Sequence, residues 1–373
     1  MADVGDRRRL GVRAALVDGV LVEGDVAVAE GRVAGLGVRP AGRGGVAVPG
    51  FVDIHVNGFA GVDFLAADAA GYDRAAEALA ATGVTAFLPT FVPCPLDAFR
   101  EAIATVAGVQ TRLRPRALGV HLEGPFLSPR WAGAHDPAHL RDPEPDIARH
   151  LCDAGPVRMM TLAPELPGAT ELIEYLVARG IAVSCGHSDA DAATAHAAFE
   201  HGAAAITHVH NAHRRWQPRD PGLGGAAVAR PGVTVQAIVD HVHLAPETAY
   251  ATFLAARERF CLVTDAIAGA GLGPGRYPLG PGTVHVADRA SRRDDGTLAG
   301  SVLTMERAVR NLTAMGATLG DAVHAAARVP ARLVGRPELG VLREGGMADV
   351  TVLDDDLRIV RTVVDGREAF ARA

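Results

Sequence analysis

Lysine is absent from this chain, and all 37 basic residues other than histidine are arginine. That absence excludes Schiff-base catalysis on a lysine, a Walker A phosphate loop and a carboxylated lysine bridging two metal ions. Cysteine is scarce. Cys94, Cys152, Cys185 and Cys261 are scattered with no CxxC pair, which argues against a disulfide framework and a thiolate zinc site. No uninterrupted apolar run reaches the roughly 18 residues of a membrane-spanning helix. Met1 to Leu16 carries arginines but no apolar core, so no signal peptide is expected and a cytoplasmic protein is the default. A basic surplus is lacking too. The net charge of -6 disfavours a general nucleic-acid binder and leaves open a small anion held by one or two arginines.

What is present is length and apolar content. With 373 residues, 49% of them hydrophobic, the chain suits one large barrel plus an appendage. Residues 1–48 and 338–373 read as short strands punctuated by Gly and Asp, and are expected to pair into one small β-sandwich domain. Residues 49–337 alternate apolar β-rich runs with Ala-rich helical stretches. Candidate strands are 50–56, 84–90, 116–122, 157–162, 181–186, 203–208, 233–239 and 259–264. Eight such units predict an α/β fold of the (β/α)8 type. An open doubly wound sheet is the rival, but no GxGxxG turn follows the first strand.

Polar residues gather where six of these runs end: His55-Val56-Asn57, His121-Leu122-Glu123, Gly186-His187, Thr207-His208, Asp240-His241-Val242-His243 and Thr264-Asp265. A parallel barrel brings strand ends to one face, where barrel enzymes keep their sites. A lone histidine near a strand end is more often scaffold than ligand. His187 and His208 gain weight because each ends an apolar run within one constellation. Glu123 and Asp265 end buried strands, where a carboxylate is costly unless paired or metal-bound. Two imidazoles and a carboxylate, Glu123, His187 and His208, suit one catalytic divalent ion. Zinc fits the ligand type, and Fe2+, Mn2+ and Co2+ accept it too. Asp265 is the candidate proton carrier for hydrolysis of an amide or related C–N bond.

These motifs resemble the N-acetylglucosamine-6-phosphate deacetylases of the amidohydrolase superfamily. The similarity runs in order through PGFVDIHVNG (49–58), HLEGPFL (121–127), Gly133-Ala134-His135, Gly186-His187-Ser188, Thr207-His208, Asn211-Ala212, Arg219-Asp220-Pro221-Gly222, Thr264-Asp265 and Leu298-Ala299-Gly300 to Gly346-Met347-Ala348-Asp349-Val350. The resemblance implies Glu123, His187 and His208 as metal ligands, Asp265 as general base and then acid, and His243 contacting substrate and polarising the acetyl carbonyl. It implies that Ala134, His135, Asn211, Ala212 and a Leu298-Ala299-Gly300 turn line the sugar pocket. Arg219 would meet a 6-phosphate through its fork of donors. The substrate implied is an amino sugar phosphate, and the assembly a homodimer in which part of the phosphate pocket is completed by the neighbouring copy.

The first-strand motif is HxN rather than HxH, so His55 and Asn57 offer at most a weak second metal site, and one tightly bound ion per chain is expected. His213 stands where the family carries methionine, His210 where it carries a hydrophobic or aromatic residue, and His241 where it carries a small one. Loop drift is one reading of these changes. Altered substrate choice is the other, and Arg214-Arg215 add possible anion contacts. The alternatives to deacetylation of N-acetylglucosamine 6-phosphate are action on another N-acyl amino sugar, a biosynthetic intermediate or a cyclic amide, and, in a different class, a non-catalytic sugar-phosphate binder.

Overall fold

The computed structural model describes residues 7–372. Eight parallel strands form the centre: β1 (Phe51–Val56), β2 (Val84–Phe91), β3 in two pieces (Arg116–Ala117 and Val120–Glu123), β4 (Val157–Leu162), β5 (Ala182–Cys185), β6 (Ala205–Ile206), β7 (Thr234–Ala237) and β8 (Phe260–Leu262). Each pairs with the next. Just past β8 the chain returns to β1 through three backbone bonds, Asp265 N–H to His55 C=O at 2.8 Å and the N–H groups of Asn57 and Gly58 to Ala266 C=O at 2.7 and 3.1 Å. The seam that closes the barrel thus runs through candidate site residues.

The strands are buried on both faces, which is why they read as near-continuous apolar runs. Two depart from the expected spans. The run 116–122 is broken at Gly119, whose φ of 140° is costly for any other residue. The run 203–208 contributes only Ala205–Ile206, because His208 turns left-handed (φ 28°) and leaves the sheet. Helices pack outside the strands. Asp68 caps Ala69–Ala80 by accepting from Gly71 N at 2.7 Å, Asp191 caps Ala192–Glu200 through Thr194 N at 2.8 Å, and Pro246 opens Pro246–Ala256.

Both chain ends build a second layer. A six-stranded sheet runs in the order Arg367–Ala371, Ile359–Val364, Val350–Leu353, Gly44–Pro49, Val12–Val17, Val20–Glu23. A three-stranded sheet of Arg8–Arg9, Asp25–Ala29 and Arg32–Val38 adjoins it. Val12, Val26, Val33, Ala47, Val350 and Val363 share a core there. On β3, Arg116 joins this layer to the barrel by ion pairs with Asp349 and Asp365.

One element was not expected. After β8 the chain inserts a four-stranded antiparallel sheet of Gly275–Leu279, Gly282–Ala287, Ala290–Arg292 and Leu298–Ser301. Leu298-Ala299-Gly300, expected as a turn, is therefore part of a strand. Its Gly300 (φ 57°) approaches Asp265, since a Cβ there would lie 3.0 Å from the Asp265 carbonyl oxygen.

Candidate active site

The strand ends open into a cavity of about 420 Å3 at the C-terminal face of the barrel. Left-handed backbone at His187, His208, His210, Ala212 and Asp265 concentrates at its rim and floor. Such conformations are held only where the surroundings over-determine them, and here they turn side chains from the strand ends into the cavity.

Glu123, at the end of β3, is buried. Its Oε1 lies 3.1 Å from His187 Nε2 and 3.0 Å from His208 Nε2, and those two nitrogens are 3.1 Å apart. Two ring nitrogens facing each other share at most one proton, and a carboxylate oxygen completes the triangle. Donors about 2.0–2.1 Å from a tetrahedral ion stand roughly 3.3 Å apart, so the set fits a divalent cation. The tautomer fits as well. His187 Nδ1 donates to the Trp131 carbonyl at 2.8 Å, leaving the Nε2 lone pair free.

His55 lies on the other side of Glu123. Its Nε2 is 3.3 Å from Glu123 Oε2 and 3.2 Å from Asp265 Oδ1, yet neither contact has hydrogen-bond geometry. Burial disfavours a charge on His55, but the carboxylates of Glu123 and Asp265 outweigh it and raise the imidazole to about 10. Burial would raise Glu123, but the His55 charge and the contacts from His187 and His208 hold it well below the usual carboxylate range. Asp265 follows the same pattern, with His55 overcoming burial to lower it. Asn57 Nδ2 donates to Asp265 Oδ1 at 2.6 Å, so its amide nitrogen serves the carboxylate. Glu123 therefore belongs to two donor groups, one with His135 and His187, the other with His55 and Asp265.

His135 Nε2 lies 3.3 Å from His187 Nε2, and burial followed by the His187 charge lowers it to about 3. His243 Nδ1 is 2.8 Å from Asp240 Oδ2, and Asp240 also accepts from the Val242 and His243 backbone N–H groups. This bond fixes the tautomer and leaves Nε2 for the cavity that His243 lines. Asn211, Ala212, Ala134, Leu298 and Gly300 also line it, whereas Ala299 turns into an apolar cluster with Ile267 and Val284. Arg219 is exposed and off the cavity wall of its own chain. Arg215 is on that wall, and Arg214 is held by Asp220 at 2.7 Å.

Of the three departing histidines, His210 and His213 face the cavity and His241 does not. His210 stacks near Trp216, with ring centroids 6.0 Å apart, and bonds Thr252 at 3.1 Å. His213 Nε2 donates to the Thr207 carbonyl at 2.9 Å.

The sequence pattern assigns no role to Trp131 or Asp240. Asp240 was legible as a carboxylate three residues before a histidine at a strand end. Trp131 carried no local signal. Also unforeseen is a buried polar layer that links the barrel strands near Glu123, His187 and His208. It runs from Thr90 to His121 (3.2 Å), to Thr161 (2.8 Å), to Thr207 (2.8 Å), to Ser184 (2.6 Å) and to Gln236 (3.1 Å), one residue from each of β2, β3, β4 and β7 with Ser184 on β5 and Thr207 beyond β6. Side chains bonded across strands hold the strand ends in fixed register.

A parallel barrel with carboxylate and imidazole donors converging at its C-terminal face defines a metal-dependent hydrolase class. The family comparison agrees: residues 46–369 match the Amidohydrolase family. The chain belongs to that family. Within it, the chain is 38% identical over 347 residues to the N-acetylglucosamine-6-phosphate deacetylase of Bos taurus, covering 87% of this chain and 83% of the bovine protein. It is 35% identical over 327 residues to an N-acetylgalactosamine-6-phosphate deacetylase of Escherichia coli O157:H7, covering 86% of this chain and 87% of that protein. A mutant N-acetyl-D-glucosamine-6-phosphate deacetylase from Mycobacterium smegmatis, solved in complex with N-acetyl-D-glucosamine 6-phosphate, superposes with a TM-score of 0.93 at 35% identity, over 98% of this chain and 100% of that one.

Proposed function

We propose that this chain hydrolyses the acetamide of N-acetyl-D-glucosamine 6-phosphate to D-glucosamine 6-phosphate and acetate. The observation that carries the reading is the Glu123–His187–His208 triangle, with Asp265 across the same cavity. A divalent ion held by Glu123, His187 and His208, with zinc the favoured identity, supplies Lewis acidity and an acidified water when bound. Asp265, kept ionised by His55, accepts the proton of the attacking water and returns it to the leaving amine. His243, set by Asp240, offers Nε2 to the acyl oxygen. His135, Asn211 and Ala212 bound the sugar. Arg219, exposed on its own chain, reaches the 6-phosphate in the cavity of a second copy, which makes the working form a homodimer. Four free, buried cysteines suit a reducing cytoplasm.

The test is acetate release from a panel of N-acetylglucosamine and N-acetylgalactosamine, each with and without a 6-phosphate, after metal loading. The reading expects the phosphorylated glucosamine derivative to be preferred. Preference for the galacto epimer, as the Escherichia coli relative's name describes for that protein, would move the assignment to the other sugar. Turnover of unphosphorylated sugars alone would sink the phosphate.

A further inference from the structure

The inserted sheet borders a second hollow beside the catalytic cavity. It measures about 120 Å3, and Val92, Ala134, His135 and Leu279 line both spaces. Pro93, Pro281 and Val284 add an apolar stretch of wall, while His135, Asp136, Thr283 and Arg293 make the rest of the lining polar. Arg293 donates to the Ala134 carbonyl, which ties the insert to the loop carrying His135.

The position of this hollow relative to the reacting centre is what matters. His135 Nε2 stands 3.3 Å from His187 Nε2 and 3.7 Å from Glu123 Oε2, so the hollow begins one side chain from the ligand triangle. An acyl carbon under attack must lie between that triangle and Asp265. Its alkyl substituent carries no polar group to satisfy either and is drawn to the apolar side of the site. A single water needs roughly 10–15 Å3 of such space, and the hollow is several times larger, which leaves room for a short alkyl chain.

We infer that this hollow receives the alkyl chain of the acyl group, so that the protein hydrolyses N-propanoyl and N-butanoyl amino sugar phosphates as well as the N-acetyl compound. The inference rests on the deacetylase reading above. In the reaction the water oxygen bonds to the acyl carbon and the C–N bond breaks. The amine leaves with the proton carried by Asp265, and the chain departs as propanoate or butanoate. No further reactant is needed.

The test measures amine release by the metal-loaded protein from N-acetyl-, N-propanoyl- and N-butanoyl-glucosamine 6-phosphate. A well-accommodated methylene costs little, whereas a pocket that excludes it discriminates by about tenfold or more. The expected result is kcat/KM for both longer substrates within about tenfold of the acetyl value. Filling the hollow should separate them: Val284→Phe is expected to lower kcat/KM for the longer substrates by about tenfold relative to acetyl. Thr283→Phe, at an exposed strand position lining the same hollow, repeats the test without burdening the core. Longer substrates falling beyond about tenfold in the unsubstituted protein, or a ratio unmoved by both folded variants, would overturn the inference. If the N-butanoyl compound were hydrolysed and the acetyl one not, the deacetylase reading would fail while the hollow kept its role.

Discussion

Single hydrogen bonds decide which imidazole nitrogen His187 and His243 present to the cavity. Trp131 holds His187 through its carbonyl, and Asp240 holds His243. Replacing Asp240 with Asn removes the carboxylate that fixes Nδ1–H. kcat is expected to fall about 10- to 100-fold, with the pH–rate profile displaced and KM little changed. An unshifted profile with only a stability loss would assign Asp240 a structural part. Asp265→Asn keeps the shape, and the acceptance from Asn57, but cannot carry a proton. Turnover should drop about 10^3-fold while elemental analysis finds the metal content unchanged. Activity near that of the parent would remove Asp265 from its role. For the phosphate, Arg219→Ala should lower kcat/KM by about 10^2-fold on the phosphorylated sugar, as loss of a charge-assisted pair implies. An unchanged value would point instead to Arg215, which lines the chain's own cavity.

At the scale of elements, the β1–β8 seam is held by a buried carboxylate. Asp53 accepts from the Thr264 hydroxyl at 2.5 Å and from the backbone N–H groups of His55 and Thr264 at 3.3 Å. Burial nevertheless pushes its pKa from 3.8 up to about 6. A raised value means that the folded state retains a proton the unfolded chain releases. The stabilisation from Asp53 is thus complete below pH 3.8 and is lost as pH rises through about 6. The loss is of the order of 3 kcal/mol. Thermal melts across this range should show the parent losing stability relative to Asp53→Asn as pH rises, and parallel curves would contradict the assignment. Elements also differ in how far they could be read from sequence. Barrel strands are buried on both faces and appear as apolar runs. The inserted strand Gly275–Leu279 is largely exposed and contains glycine and proline, so it shows neither alternation nor an apolar run. Its partners are set by local antiparallel pairing, which no periodicity reported.

For the molecule as a whole, the two donor groups sharing Glu123 raise the question of stoichiometry. The HxN at the end of β1 gives the second group His55 as its one imidazole, and Asp265 Oδ1 already accepts from Asn57, so this group is the weaker of the two. Washed, active protein is expected to contain one ion per chain. Chelation should abolish turnover and lower Tm, and restoring one equivalent should recover both. Two equivalents in washed protein would establish a binuclear site. The described residues contain no helix long and apolar enough to cross a membrane.

The sequence by itself determined the barrel and marked Glu123, His187 and His208 as residues to be brought together, because both follow from short-range pattern: apolar runs of strand length, six of them ending in residues that burial alone would penalise. It also carried the HxN departure and the absence of lysine, which limit the metal chemistry. Tertiary structure decided what depends on approach between distant segments. It set Trp131 against His187, threaded hydroxyls from several strands into one layer, and left Arg219 outside its own cavity while bringing Arg215 in. It also placed the inserted sheet beside His135, where the hollow lies. Contacts of this kind depend on backbone direction and packing across many residues of separation, and a one-dimensional pattern holds no record of either.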